Sequence, residues 1–437
     1  MFKTIANAFK VKDVRKKILI TLLLLFIYRV GCWLPIPGFD ISAMVESEAA
    51  NNSYSIFSIM NMINGGALQN CAILALGVSP YITASIVIQL LTVAIPSLER
   101  LSKAGEDGRK KINLYTRIAA LVLSIAQAIG IVISYQSALD TSNALWAGAP
   151  TWLIGAGIVL VLVAGGMFTV WLGEKITEIG IGNGMSLLIF VGILSTGANG
   201  ILTAIKSIGS DITNLWILLI FLAVMIAIFA LIVFVDCAER RVPVQYAKQI
   251  KGRKMYGGQS TYIPIKVNGT NVMPIIFASA LITFPQLVMS MFWPNSGAIQ
   301  WYQKWLGTGS WIYIVVLAIL IFAFAFFYAQ IMFNTEDVSK RIQQQGGFIQ
   351  GIRPGKPTAD YLKKISRRIT LFGAVFLAII ALIPSLAFKA VGTAGINSVL
   401  INSFSATGLM IIVSVALEFD KQLEAQMIMR TYKGFLD

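Results

Sequence analysis

The 437-residue sequence contains no histidine. That absence excludes His-based catalytic triads, histidine metal sites and the commonest proton relay. Charge is scarce as well: 13% of residues are Asp, Glu, Lys or Arg, where a soluble domain carries roughly 25%. Cysteine is limited to Cys32, Cys71 and Cys237, far apart and without a CxxC pair. The three read as small buried residues, not as disulfide partners or metal ligands. No Asp or Glu lies in the middle of a long apolar run. An intramembrane enzyme needs a nucleophile with its base, or paired carboxylates. An ion-coupled transporter of small solutes keeps ionisable groups near the midplane. Neither set is present.

What the chain has in excess is apolar side chain, 57% of residues with a mean hydropathy of +0.75. It gathers into ten segments, about 18–34, 70–95, 118–136, 152–172, 182–204, 214–235, 271–292, 309–333, 369–388 and 396–417. A hydrocarbon core of about 30 Å takes about 20 such residues to cross. The pattern predicts an all-α polytopic membrane protein of ten transmembrane helices. The second segment contains Pro80, and the fifth opens with Gly180-Ile181-Gly182-Asn183-Gly184. Lys16-Lys17 precede the first, as in a signal peptide, but no A-x-A cleavage site follows, so it reads as a retained span.

Of the 35 lysines and arginines, all but Arg29, Lys206, Lys304 and Lys389 fall in the two termini or in alternate loops. By the positive-inside rule this places both termini in the cytoplasm. Two of those loops, about 236–270 and 334–368, are long and basic. Charge alone leaves two readings open: retention with attraction to anionic lipid, or a docking surface for a large acidic or RNA-bearing partner. Length beyond what a turn requires favours docking.

Ten spans divide into five plus five, at about 1–205 and 206–437. An odd number per half gives the halves opposite orientations, the plan of an inverted repeat, although no residue-level repeat is visible. Arg29 stands near the outer end of the first span, where it can snorkel outward, and Asp236 closes the sixth at its cytoplasmic edge. Uncharged polar residues sit in span 2 (Ser79, Thr83, Ser85, Gln89, Thr92), span 3 (Ser124, Gln127) and span 7 (Ser279, Thr283, Gln286). They read either as ordinary helix–helix hydrogen bonds or as a seam that opens; composition favours the first. Residues 53–69 are amphipathic, too short to span and external by topology, yet rich in Ile, Met and Phe. Such a segment lies on the lipid surface or folds into a cavity.

Several strings together resemble the SecY/Sec61-alpha family, the channel-forming subunits of protein translocases. They are Pro35-Ile36-Pro37-Gly38, Gly77-Val78-Ser79-Pro80-Tyr81-Ile82-Thr83-Ala84-Ser85-Ile86 with Gln89-Leu90-Leu91, Gly180 to Gly184, Gln259 to Asn268, and Gly351-Ile352-Arg353-Pro354-Gly355. The likeness runs over essentially the whole chain. It implies a clamshell of two inverted five-helix halves around an hourglass pore, with a short plug helix and a lateral gate. It further implies passage of unfolded secretory chains across the bacterial plasma membrane and lateral release of apolar segments into lipid, with no enzymatic activity and no cofactor.

By motif, the resemblance implies a pore ring of Ile82, Ile86, Met185, Ile189, Ile276 and Ile411. The implied plug carries Ile56, Phe57, Ile59, Met60, Met62, Ile63, Gly65 and Gly66, and the implied lateral gate Gln89, Thr92, Gln127, Ser279 and Thr283. Lys251, Arg253, Lys254 and Arg353 are the implied docking residues for motor or ribosome. The implied partners are the SecE and SecG membrane subunits, the SecA motor ATPase, the ribosome, signal peptides and nascent chains, and anionic lipids. The i,i+4 spacing of Ile82 with Ile86 and of Met185 with Ile189 puts each pair on one helix face, as a ring requires.

Overall fold

The structure, a computed structural model, describes residues 7–37, 61, 64–134, 150–208, 213–246, 249–251, 254–256, 260–270, 273–292, 297–307, 310–391 and 406–433. Helices dominate. They are α1 (Lys12–Gly31), α2 (Ser79–Ala94), α3 (Pro96–Lys103), α4 (Glu106–Ser134), α5 (Thr151–Ile179), α6 (Gly184–Ile208) and α7 (Thr213–Cys237), then α8 (Met273–Phe292), α9 (Gly297–Leu306), α10 (Trp311–Met332), α11 (Thr335–Gln344), α12 (Lys356–Val391) and α13 (Ala406–Lys433). Five strands, β1 (Glu239–Tyr246), β2 (Gln249–Lys251), β3 (Lys254–Tyr256), β4 (Ser260–Lys266) and β5 (Gly347–Phe348), fall in the two long basic loops. The chain is therefore mostly helical and not all-α.

Ten spans are expected from the sequence. Among the described residues five helices, α4, α5, α6, α10 and α12, are long and apolar enough to cross a membrane. There are six if α2 and α3, bent by 107° at their junction, act as one. The shortfall has a local cause at α1, whose first turns carry Lys12, Asp13, Arg15, Lys16 and Lys17 before the apolar stretch begins. The same holds for α13, where Glu418 and Asp420 follow the apolar stretch. Large apolar side chains on long helices face outward, Leu160 at 71% and Phe234 at 75% exposure among them, a surface suited to lipid and not to water.

The second expected span begins later than its composition suggests. Residues 64–78 are apolar but non-helical, and the helix starts at Ser79 with Pro80 in its first turn. Proline is favoured there, because the first amides of a helix lack partners in any case. Residues 71–73 instead pair with the chain after α1: Ile36 N donates to Cys71 O at 2.8 Å and Ile73 N to Leu34 O at 2.9 Å. Leu68, Cys71, Ala75 and Leu76 from this stretch, with Ile36, pack against Ala128 and Ile131 of α4 and Ile154, Ile158 and Leu162 of α5. Pro96 ends α2, since it supplies no amide to continue the ladder.

Contacts group the chain into two compact units, one of 1–218, 280–313 and 392–437, the other of 219–279 and 314–391. In the first, α4 packs on α2 and α5, α6 on α5 and α13, and α1 on α5 and α6. In the second, β1 pairs antiparallel with β4 (Arg240 opposite Ile265, Val242 opposite Ile263) and, on its other side, with β5. The side chains of Val242 and Val244 alternate inward against Ile265, Ile342, Ile349 and Leu362, a small apolar core under the basic surface. The long loops are thus folded elements. Two of the three cysteines, Cys32 and Cys71, are buried as expected, whereas Cys237 at the end of α7 is exposed.

Candidate functional site

Within the first unit, the apolar side chains expected to line a pore lie on three helices. Ile82 and Ile86 are four residues apart on α2, the first half-buried and the second 7% exposed. α6 is started by Asn183, whose Oδ1 accepts from Met185 N at 3.1 Å and Ser186 N at 3.5 Å, the work of an N-cap. That cap positions Met185 and Ile189 one turn apart. Ile189 is buried. The Met185 thioether leans on α5: a Cβ added at Gly173 would lie 2.5 Å from its Sδ. Ile411 is buried in α13. In the second unit Ile276, in the first turn of α8, is half-buried.

Of the expected plug residues, Ile56, Phe57, Ile59, Met60, Met62 and Ile63 lie outside the described residues, and Gly65 and Gly66 lie within them. The turn that these glycines form is knit internally. Gly66 N donates to Asn61 O at 2.8 Å, Gln69 N to Asn61 Oδ1 at 3.0 Å, and Asn64 Nδ2 to Ala75 O at 2.7 Å. Arg29 reaches the same turn, donating from Nη1 to Gly65 O at 3.2 Å and from Nη2 to Ser195 Oγ at 2.6 Å. The half-buried arginine is thus held by the protein, not snorkelled away from it.

The polar residues expected at a gate bond mainly within their own helices. Thr92 Oγ1 donates to Ile88 O at 2.6 Å, Ser279 Oγ to Ile275 O at 2.8 Å, and Gln89 Nε2 to Ser85 Oγ at 3.4 Å. Back-bonding of this kind satisfies a hydroxyl in an apolar setting. Gln127 differs: it is 7% exposed and its Oε1 has no partner among the described residues. Thr283 stands in α8 one turn beyond Ser279.

On the second unit, Arg353 is exposed at the tip of the Gly351–Gly355 turn. Positive φ at Gly351 (81°) and Gly355 (97°) makes the turn. Thr358 Oγ1 donating to Arg353 O at 2.8 Å and Ser339 Oγ donating to Gly355 O at 2.7 Å hold it in place. Lys251 ends β2 and Lys254 begins β3, while Arg253 lies outside the described residues. On β1 the Arg241 guanidinium stacks over the Tyr262 ring at 4.7 Å. Its hydrogen bond to the Glu239 carboxylate, 2.8 Å, raises its pKa.

Sequence reasoning missed three arrangements. One is the partnership of Arg29 with Gly65 and Ser195, for which the lone charge in an apolar run was the available signal. Another is the buried pair of Asp236 and Asn268, 2.6 Å apart. The third is the use of Thr21 to receive Ile181 N at 3.2 Å, tying the Gly180–Gly184 string to α1. As chemistry, the first unit offers aliphatic side chains, and the second an aliphatic side chain at Ile276 and an exposed basic tip at Arg353.

The family model for SecY matches residues 72–419. The protein translocase subunit SecY of Streptomyces scabiei is 44% identical over 445 residues, with 100% of both chains covered. A solved protein-conducting channel superposes with a TM-score of 0.69 at 20% identity, covering 94% of this chain and 92% of the other. A SecY channel whose plug domain is described as stabilising the closed state and maintaining a membrane seal gives 0.66 at 20% identity, with coverage of 94% and 92%. The canine Sec61 of a ribosome–channel complex gives 0.62 at 19% identity, with coverage of 94% and 92%.

Proposed function

This chain belongs to the SecY family, and on that premise we propose that it is the central protein-conducting subunit of a bacterial plasma-membrane translocase. It passes unfolded secretory chains through the membrane and releases apolar segments sideways into lipid. The family is one of channel subunits, not of enzymes. The observation that carries the reading is full-length relatedness to a translocase subunit at 44% identity. The absence of mid-span carboxylates in the sequence agrees with it, since a passive conduit needs no ion site.

In this reading ten spans form two inverted five-helix halves, 1–205 and 206–437, with both termini cytoplasmic. Ile82, Ile86, Met185, Ile189, Ile276 and Ile411 form the constriction. Aliphatic side chains seal it by dewetting when idle and close around any passing segment, because they make no directional bonds. Residues 53–69 plug the cavity on the outer side. Gln89, Thr92, Gln127, Ser279 and Thr283 line the seam through which a stretch of about 20 apolar residues leaves for lipid. Polar segments stay in the pore, because lipid is costly for them. Lys251, Arg253, Lys254 and Arg353 receive the motor ATPase SecA or the ribosome. SecE and SecG accompany the chain in an anionic bilayer.

The test is reconstitution. Proteoliposomes holding this chain with its small membrane partners are given a radiolabelled secretory precursor, the motor and ATP. The reading predicts precursor protected from external protease only when all components are present. Protection no greater than in liposomes lacking this chain contradicts it.

A further inference from the structure

We infer that Arg29 is a positioning residue that fastens the Gly65 turn to α1 and α6 while the pore is closed, and that opening breaks this fastening. The inference rests on the channel reading and adds a residue to it. Arg29 is in the last turn of α1, and its guanidinium divides between two elements: Nη1 donates to Gly65 O at 3.2 Å and Nη2 to Ser195 Oγ of α6 at 2.6 Å. Gly65 has φ of +71°, and a Cβ there would strike Arg29 Nη1 and lie 3.0 Å from Gly192 Cα. The turn is therefore wedged between the arginine and the backbone of α6, where only glycine fits. Two hydrogen bonds at the turn, from Gly66 N to Asn61 O and from Asn64 Nδ2 to Ala75 O, are internal to the segment. Further along, Ile36 N and Ile73 N join the segment to the chain after α1, and its apolar side chains pack on α4 and α5. Arg29 adds the link from Gly65 itself to α1 and α6.

The chemistry of the acceptors points to a contact that breaks. Both are neutral, a carbonyl and a hydroxyl, and no carboxylate is among the hydrogen-bond partners of Arg29 in the described residues. A guanidinium pinned by a partly buried carboxylate makes a strong bidentate lock. One shared between two neutral oxygens of different elements holds a position and yields when those elements part. Because both donors belong to one planar group, each bond helps to orient the other, so loss of either acceptor weakens the contact that remains.

The test uses the full chain with its small membrane partners, measured for idle ion conductance in planar bilayers and for export of precursors with intact and crippled signal sequences. The variants are Arg29→Gln, Arg29→Lys, Ser195→Ala and the double Arg29→Gln/Ser195→Ala, each with a thermal melting curve. Loss of a hydrogen bond to a charged group shifts the closed–open ratio roughly tenfold or more. Arg29→Gln should therefore raise idle conductance roughly tenfold and restore export of the crippled precursor. Arg29→Lys and Ser195→Ala should have smaller effects in the same direction with melting unchanged. The double variant should be no worse than Arg29→Gln alone, because the residues act as one contact.

Wild-type idle conductance and signal requirement in well-folded Arg29→Lys and Ser195→Ala overturn the inference. So does a double variant whose effects multiply as if independent. If Arg29→Gln does not fold, the Lys and Ala variants decide the matter. Failure of the wild-type protein to export the intact precursor in the same vesicles would instead reject the channel reading itself.

Discussion

Asn268 Nδ2 donates to Asp236 Oδ1 across 2.6 Å, with both residues buried and Thr270 Oγ1 donating in turn to Asn268 Oδ1 at 3.5 Å. The bond ties the last turn of α7 to the turn after β4, so it closes the base of the β1–β4 hairpin. Val267 N donating to Ala238 O at 3.0 Å runs alongside it. A hydrogen bond to a charged group contributes about 1.5–3 kcal/mol. Asn268→Ala should lower stability by about that amount, and Asn268→Asp by more, since it sets two carboxylates together. Trypsin cleavage within residues 240–254 should accelerate in both variants. Wild-type cleavage rates would mean the hairpin is held by its apolar core alone.

The ring assignment predicts opposite outcomes for two substitutions at one place. Ile86→Asn puts an amide where ions must be excluded and should raise idle conductance in planar bilayers, whereas Ile86→Val keeps the seal. Ile276→Asn and Ile276→Val should repeat the pattern from the other unit. Silence at both positions would remove them from the ring. Deletion of residues 57–65 should leave the protein assembled but make closure flicker.

How far the sequence was legible varies with the range of the interaction concerned. Each of the ten apolar segments overlaps a helix among the described residues, five or six of these being long and apolar enough to span, because helical hydrogen bonds and the apolar pattern are local. The Gly351–Gly355 turn was equally visible, since glycine placement reports backbone geometry directly. Residues 70–78 misled for a physical reason. Their composition is that of a span, but Ile73 N donates to Leu34 O and Cys71 O accepts from Ile36 N, contacts with no local signature. The strands in the basic loops were hidden because only Val242 and Val244 of β1 are buried, too few for alternation to stand out. Arg29 was noticed as a charge out of place. Its partners lie 36 and 166 residues away, beyond any spacing rule.

For the seam, Gln127 is the informative position. Its Oε1 is buried without a partner among the described residues, so Gln127→Leu removes an uncompensated polar atom and should hold the seam closed more firmly. Gln127→Ala removes packing too and should loosen it. Each interhelical bond of about 1 kcal/mol shifts the closed–open ratio roughly fivefold. Export of a precursor with a crippled signal sequence should therefore fall with Leu and rise with Ala. Equal export by both variants would leave Gln127 with a packing role only. Gln89 and Thr283 are tested by the same pair of replacements.

Arg353 distinguishes a specific contact from a diffuse positive field. A field made by many charges loses little from one change and is screened within about 8 Å at physiological salt. A guanidinium held at a turn makes bidentate contacts that an ammonium cannot copy. Arg353→Lys and Arg353→Glu should both block ATP-driven export strongly. Lys363→Glu and Lys364→Glu, on the exposed face of α12, should weaken it mildly and in a salt-dependent way. Assay at two ionic strengths separates the cases, and wild-type export by Arg353→Lys would leave only the field.

The most direct test asks what touches a chain in transit. A secretory precursor is arrested part-way across, with a photoreactive residue placed in turn at 86, 189, 276 and 411 of this protein, and at 160 as a control on the outward face of α5, where Leu160 is 71% exposed. The account predicts adducts between the precursor and each of the first four positions, and none at 160. Adducts absent from the four, or equally strong at 160, would contradict a pore sealed by these aliphatic side chains.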